Sequence, residues 1–271
     1  MTRRMVAVFA ILGCVTATGC ASGSAARWAG SVPAAGAPPA VRVMPLGDSI
    51  TGSPGCWRAY LWDKLRRAGF ADGDTPLVGG VTTAAGGPAK VAIDFVGTRG
   101  GQVCPTGYPQ GYPAHDGDNE GHGGFTAAEA ATGRELPAWL ARTRPHVVLM
   151  HLGTNDVRQG RTTAQVLRSY TALVALLRAS DPGMVVLVAQ LIPMAPADCP
   201  ACGRRVVELN RAIPGWAAAA STAASPVLVV DQWTGFDPAR DTVDGVHPAW
   251  PGNEKIAARW FTALSRVLDK G

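Results

Sequence analysis

The chain is poor in charge. Of its 271 residues only 17% are Asp, Glu, Lys or Arg and 7% are aromatic, while 47% are apolar. A disordered chain would carry more charge and less apolar mass, so this sequence is expected to fold around a core. It contains no block of five or six like charges. The net charge of +5 is spread over single Lys and Arg residues, the pattern of a solvated surface, and no nucleic-acid partner is expected. No run of 18 uncharged apolar residues occurs, so no spanning helix is expected. Internal repeats, a Walker-type phosphate loop, a strand–GxGxxG–helix unit and an HExxH helix are all missing. Asp116, Asp118 and Glu120 lack the spacing of an EF-hand calcium loop. No metal and no cofactor are expected.

The first residues carry an address. Arg3 and Arg4 precede a short apolar stretch, Met5 to Val15, and small residues follow. This is the layout of an export signal over residues 1–19, too short for an ordinary spanning helix. Thr18-Gly19-Cys20 is similar to a bacterial lipobox, with Ala17 in the place usually held by Leu. Two outcomes stay open: lipidation of Cys20, with anchorage at the outer face of a membrane, or plain secretion after a cut nearby. Residues 20–40, rich in Ala, Gly, Ser and Pro, are expected to form a flexible tether. The globular domain is expected over 41–271, as a monomer outside the cytoplasm.

Six cysteines are present, and Cys56, Cys104, Cys199 and Cys202 remain once Cys14 and Cys20 are set aside. In an exported chain they are expected to be oxidised. Three pairings are possible, and Cys56–Cys104 with Cys199–Cys202 is favoured. The first would close a long loop, worth about 3–4 kcal/mol in the chain-entropy model. Zinc at Cys199 and Cys202 would need a second ligand pair, and none lies nearby.

Strand and helix patterns alternate. Short apolar runs at 41–46, 91–96, 146–151, 184–191 and 226–230 read as five strands. The 146–151 run is apolar throughout its middle, as expected for a strand buried on both faces. Helices are expected over 57–68, 162–179, 204–220 (with Pro214 a candidate kink) and 252–268. The 162–179 segment is the clearest, with Val166, Tyr170, Leu173, Val174 and Leu177 on one face. This alternation predicts one parallel α/β sheet covered on both faces, with ligands at the carboxyl ends of the strands. Polar clusters stand at those ends: Gly47-Asp48-Ser49, Glu120 to Gly124, Gly153 to Asp156, and Asp244 to Pro248. Residues 71–90 and 97–119 form long Gly-rich connections.

These clusters suit acyl transfer. A serine hydroxyl becomes a nucleophile when a base takes its proton, and an imidazole serves when a carboxylate holds its tautomer. Ser49, His247 and Asp244 supply such a set, and Asp244 sits one turn before His247. An oxyanion then needs donors, and the Ser49 and Gly124 amides with the Asn155 side chain could give three. Each is worth roughly 10²–10³ in rate. Bland readings stand beside these. Asp244 could only make the turn into Gly245, Asn155 could cap a helix, and Gly123 could replace Gly124 as donor. Asp48 is expected to be structural more than substrate-facing. Glu120 and His122 either line the acyl pocket or lock the loop that presents Gly124, and locking is favoured. His146 and His151 are expected to pack, and His115 to face solvent. Most tryptophans should be core, while Trp233 and Trp250 beside the loops could stack on sugar rings.

GDSI at 47–50, Gly124, GTND at 153–156 and DGVHP at 244–248 together resemble the four sequence blocks of the SGNH (GDSL-type) hydrolases, in the same order, over residues 41–268. The resemblance implies a flavodoxin-like three-layer α/β/α sandwich with a five-stranded parallel sheet. It implies Ser49 as nucleophile, His247 as base, Asp244 as its orienter, and an oxyanion hole from Ser49, Gly124 and Asn155. VMPLGDSIT (43–51), DFVGT (94–98), DNEGHGGF (118–125) and HLGTND (151–156) are further similar to carbohydrate esterase family 3. That narrower resemblance implies acetyl ester hydrolysis on plant-wall polysaccharide such as acetylated xylan. Esterase or lysophospholipase action on longer acyl chains is the alternative, and a non-catalytic polysaccharide-binding module a more distant one. Ile50 for Leu, Gly123 for Ser, Ala249 for Asn, and the 71–90 stretch depart from the family pattern.

Overall fold

The computed structural model describes residues 40–53, 55–73, 91–100 and 115–269. The expected export signal (1–19), nearly all of the tether (20–40), Cys20, Cys104 and most of the two Gly-rich connections lie outside them.

Seven parallel strands form one sheet: β1 (Val41–Gly47), β2 (Ala71–Asp72), β3 (Ala92–Phe95), β4 (Glu120–Gly121), β5 (Val147–His151), β6 (Val185–Gln190) and β7 (Val227–Asp231). Their order is β2-β3-β1-β5-β6-β7, with β4 paired to the end of β1. The five longer strands are the five expected ones, and their order has the flavodoxin-like 2-1-3-4-5 pattern. The strand count differs from expectation by β2 and β4. Each is two residues long, too short to show any hydropathy period.

The strands alternate their side chains between two cores. Met44, Leu46, Val148, Met150, Val186 and Val188 face one side. That side is covered by α3 (Ala127–Thr132), α4 (Glu135–Thr143), α6 (Thr163–Ser180) and α7 (Cys202–Ala220). Val43, Val147, Leu149, Leu187 and Ala189 face the other, under α2 (Trp57–Arg67) and α9 (Trp250–Leu268). Trp57 and Trp260, both fully buried, meet there with ring centroids 6.0 Å apart. Burial of a side chain of this size contributes about 2–3 kcal/mol or more.

Helix α6 buries the five residues its periodicity selects. It starts at a Thr162–Gln165 capping box, which satisfies amides that otherwise have no partner in a first turn. Helix α7 runs on through Pro214. Four shorter helices were not expected from periodicity: α1 (Ser49–Gly52), α3, α5 (Thr154–Arg158) and α8 (Pro238–Asp241). Helix α4 was not expected either. Cys199 and Cys202 form the favoured disulfide, 5.4 Å apart at Cα. Cys56 is buried at the start of α2, and its expected partner Cys104 is not among the described residues.

Candidate active site

The order reversal in the sheet falls between β1 and β5. Open α/β sheets bind ligands at such a point, beyond the strand ends. Ser49 follows β1 and Asn155 follows β5. Asp48, fully buried, caps α1 by accepting the Ile50 amide at 2.9 Å. This sets Ser49 as the first residue of the helix, where a backbone amide has no intrahelical partner. Burial pushes the Asp48 carboxyl up to about 6, against the pull of the Ile50 amide, the Thr154 hydroxyl and the His247 charge. Asp48 therefore holds the turn from beneath, as expected.

Ser49 Oγ lies 2.9 Å from His247 Nε2. On the far side of the ring, His247 Nδ1 lies 2.6 Å from Asp244 Oδ2. The other Asp244 oxygen accepts the His247 and Val246 amides at 2.7 and 2.9 Å. One carboxylate thus fixes both the turn and the ring. Burial pushes the Asp244 carboxyl up, but those amide and ring hydrogen bonds prevail and hold it below its ordinary value. With Asp244 ionised, Nδ1 carries the proton and Nε2 faces Ser49 as an acceptor.

The 242–248 loop closes on itself. Val243 N donates to His247 O, and Gly245 N to Thr242 Oγ1. Gly245 has φ +82, and a Cβ there would stand 2.5 Å from Ala195 O. Only glycine fits that approach, which lets Ala195 N donate to Gly245 O at 2.8 Å. Asn253, buried in α9, carries the loop's other end. Its Nδ2 donates to Pro248 O, and its Oδ1 accepts Trp57 N. Trp57 Nε1 in turn donates to Ile50 O, so one chain of hydrogen bonds joins the serine helix to the histidine loop.

The 122–125 turn and Asn155 carry further hydrogen-bond donors. Phe125 N donates to His122 O, closing a four-residue turn in which Gly124 takes the third place with φ +79. That place in a type II turn requires positive φ, hence glycine. Neither Gly123 nor Gly124 has any neighbour within 4 Å of a built Cβ, so the turn presents bare backbone. Asn155 Nδ2 donates one hydrogen to Phe125 O at 3.0 Å, which leaves its second hydrogen for another acceptor. Asp156, fully buried, accepts the Ala127 and Ala128 amides and ties the start of α3 to α5. Sequence reasoning did not single out Asn253, nor the hydrogen bonds made by Asp156 and Trp57. Thr126-Ala-Ala-Glu129, a capping box, was the one legible sign that α3 begins there.

Glu120 is fully buried and bonds Thr98, while His122 stacks on Trp139. Trp250 is 46% exposed at the start of α9, just beyond the histidine loop. His151 is buried; among the described residues neither ring nitrogen has a hydrogen bond, and burial lowers the imidazole to about 4. His146 is half-buried and bonds Arg42, outside the site. His115 is half-buried, where full exposure was expected.

Fold and site together give a parallel α/β scaffold with a serine, an imidazole and a carboxylate in line. Residues 46–255 match the model of the GDSL-like lipase/acylhydrolase family, and the chain belongs to that family of carboxylic ester hydrolases. A multidomain esterase of Ruminococcus flavefaciens is 23% identical over 84% of this chain and 29% of its own length. Esterase TesA of Pseudomonas aeruginosa is 28% identical over 49% of this chain and 62% of its own. The chain thus spans less than two thirds of either of these relatives. A family 3 carbohydrate esterase of Talaromyces cellulolyticus superposes with TM-score 0.69 at 32% identity, over 85% of this chain and 99% of that one. A serine-to-alanine mutant of an acetyl esterase, solved with an acetate ion, superposes with TM-score 0.68 at 32% identity over the same shares.

Proposed function

We propose that the protein hydrolyses acetyl esters on polysaccharide, with acetylated xylan the leading substrate, through an acyl-enzyme on Ser49. The observation that carries the reading is the unbroken line Ser49 Oγ, His247 Nε2, His247 Nδ1, Asp244 Oδ2, at 2.9 and 2.6 Å. His247 Nε2 takes the Ser49 proton as Oγ attacks the ester carbonyl. The carbonyl oxygen, now an anion, accepts hydrogen bonds from the Ser49 and Gly124 amides and from Asn155. The carbon–oxygen bond to the sugar breaks, and the imidazolium gives its proton to the leaving alkoxide. Water then repeats the sequence on the acetyl-serine: His247 takes its proton, acetate leaves, and Ser49 recovers the hydrogen.

The acetyl assignment draws on the two structures at 32% identity, one a carbohydrate esterase and one an acetyl esterase. The match to a lipase/acylhydrolase family keeps a longer-chain acyl ester as the second reading. Acetate release from acetylated xylan, with Ser49→Ala in parallel, tests the proposal. Release by the wild type alone supports it. Release by both proteins removes Ser49 from the chemistry. Preference for long-chain esters over acetyl esters establishes the second reading. Export, with lipidation at Cys20, is proposed alongside; an unlabelled wild type, or fatty-acid labelling that survives Cys20→Ala, would rule out lipidation at Cys20.

A further inference from the structure

One buried carboxylate and one stacked imidazole are left without a part in that reaction. Glu120 is wholly enclosed. Its Oε2 accepts the Thr98 amide at 2.8 Å, and its Oε1 accepts the Thr98 hydroxyl at 2.8 Å and faces His122 Nε2 at 2.6 Å. The opposite nitrogen, His122 Nδ1, faces Arg99 Nη2 at 3.3 Å. A guanidinium only donates, so Nδ1 accepts, and the ring proton sits on Nε2, donated to Glu120. The ring also lies flat on Trp139, with centroids 4.4 Å apart and planes 9° off parallel. Its two edges and one face are therefore fixed at once.

The backbone of the same residue is tied into the site. His122 N donates to Gly47 O at 3.0 Å, two residues before Ser49. His122 O accepts Phe125 N at 3.1 Å and so closes the turn that contains Gly124. Phe125 O then accepts the Asn155 side chain. A backbone shift at residue 122 that redirected the Gly124 amide and the acceptor that aims Asn155 would carry the ring with it, and so must break the Glu120 bond and the Trp139 stack. Oxyanion donors lose their effect within a few tenths of an ångström, because their value lies in being placed before the charge develops.

We propose that Glu120 and His122 are positioning residues for the oxyanion donors: the carboxylate and Trp139 hold the imidazole, and the imidazole holds the Gly124 turn, with neither residue touching substrate. This rests on the ester-hydrolase reading of the site. The two residues act as one device, so removing either removes the effect of both.

The test compares wild type, His122→Phe, Glu120→Gln and the double variant on a small acetyl ester. His122→Phe keeps an aromatic ring on Trp139 and loses the bond to Glu120. Glu120→Gln keeps an acceptor for the Thr98 amide. Its side-chain nitrogen, however, faces His122 as a donor and would force the ring proton toward Arg99. Each single change should lower kcat about 10-fold or more, part of the roughly 10²–10³ that one donor supplies, with KM within about twofold. The double variant should fall no further than the worse single by more than about twofold. Inhibition by a trifluoromethyl ketone, which forms an oxyanion on the serine, should weaken in proportion to kcat. All assays run well below the lowest unfolding midpoint, so lost stability alone leaves kcat unchanged. Unchanged kcat, independent losses that multiply, or a raised KM with intact kcat each overturn the proposal. Should His122→Phe not fold, Glu120→Gln carries the test. Ser49→Ala in the same series reports on the reading beneath: turnover that survives it, or a wild type with none, overturns that reading and not merely the clamp.

Discussion

The two halves of the site are built differently. The serine half is set in the sheet: Asp48 and Glu120 are 0% exposed, and the donors of α1 and the Gly124 turn are fixed by bonds to β1 and β4. The histidine half hangs on a surface loop, where the His247 and Asp244 side chains are 30% and 50% exposed. The buried half gains precision from packing, and burial raises the proton affinity of Asp48. The open half must get its geometry from the chain itself. Asp244 binds its own loop's amides, Gly245 fits under Ala195, and Asn253 pins Pro248. A general base must exchange protons with water and with a departing alcohol, and a half-exposed loop permits that.

The largest effects should expose this division. His247→Ala is expected to lower kcat by about 10⁴ or more. Asp244→Ala should cost at least tenfold less, because water can reach the ring nitrogen that the carboxylate leaves. Equal losses in steady-state kinetics would mean that the open half is as preorganised as the buried one.

A second contrast separates loop geometry from mere backbone strain. Gly245→Ala places a Cβ against Ala195 O at a positive φ, and should lower kcat about 10- to 100-fold while costing roughly 2–4 kcal/mol in urea unfolding. Gly235→Ala has φ +71 with nothing within 4 Å, and should cost only about 1 kcal/mol with activity kept. Similar activities in the two variants would break the link between the Ala195 contact and His247.

The buried half should show itself in the pH dependence of stability. Asp48 has a folded value near 6, above its ordinary 3.8, so the folded state binds the proton more tightly. Stability from this group is present below about pH 4 and is lost as pH rises toward 6. Asp48→Asn keeps an acceptor for the Ile50 amide and removes the titration. Between pH 4.5 and 7 the variant should gain on the wild type by an amount on the order of 1–3 kcal/mol. A parallel pH dependence in both proteins would place the loss elsewhere, with Asp116, raised to about 7 by burial, the first suspect.

The smallest effect belongs to Cys199–Cys202. It closes a loop with a sequence separation of 3, which the chain-entropy model values at about 2 kcal/mol. Replacing both cysteines by alanine should lower the unfolding midpoint by a few degrees and leave kcat within about twofold. A larger fall in kcat would show that the 195–202 segment steers Gly245.

How much of this was legible in the sequence follows the same division. The long strands and α6 could be read because each presents a clean period: five successive core positions on α6, and apolar runs in β1, β5 and β6. Ser49, Asn155, Asp244 and His247 could be named because acyl transfer restricts the residue types; Ser49 and Asn155 lie just past strand ends, while Asp244 and His247 lie beyond α8, well past β7. Two-residue strands and helices of four to nine residues carry too few positions to show a period, so β2, β4, α1, α3, α4, α5 and α8 were not seen. The second layer was hidden for another reason. Asn253, Asp156 and Trp57 act through single side-chain bonds to distant backbone, and nothing near them in sequence marks the partner. Glu120 and His122 were seen, but their contacts with Thr98, Arg99 and Trp139 were not, because those partners lie apart in sequence or carry no motif.

The most direct measurement is capture of the acyl-enzyme. The protein is mixed with an activated acetyl ester, quenched in acid within the first turnover, and digested for peptide mass analysis. The account predicts one acetyl group on the peptide holding Ser49, accumulating further in His247→Ala if deacylation is the slower half, and none on Ser49→Ala. Acetylation elsewhere with turnover intact in Ser49→Ala would contradict it.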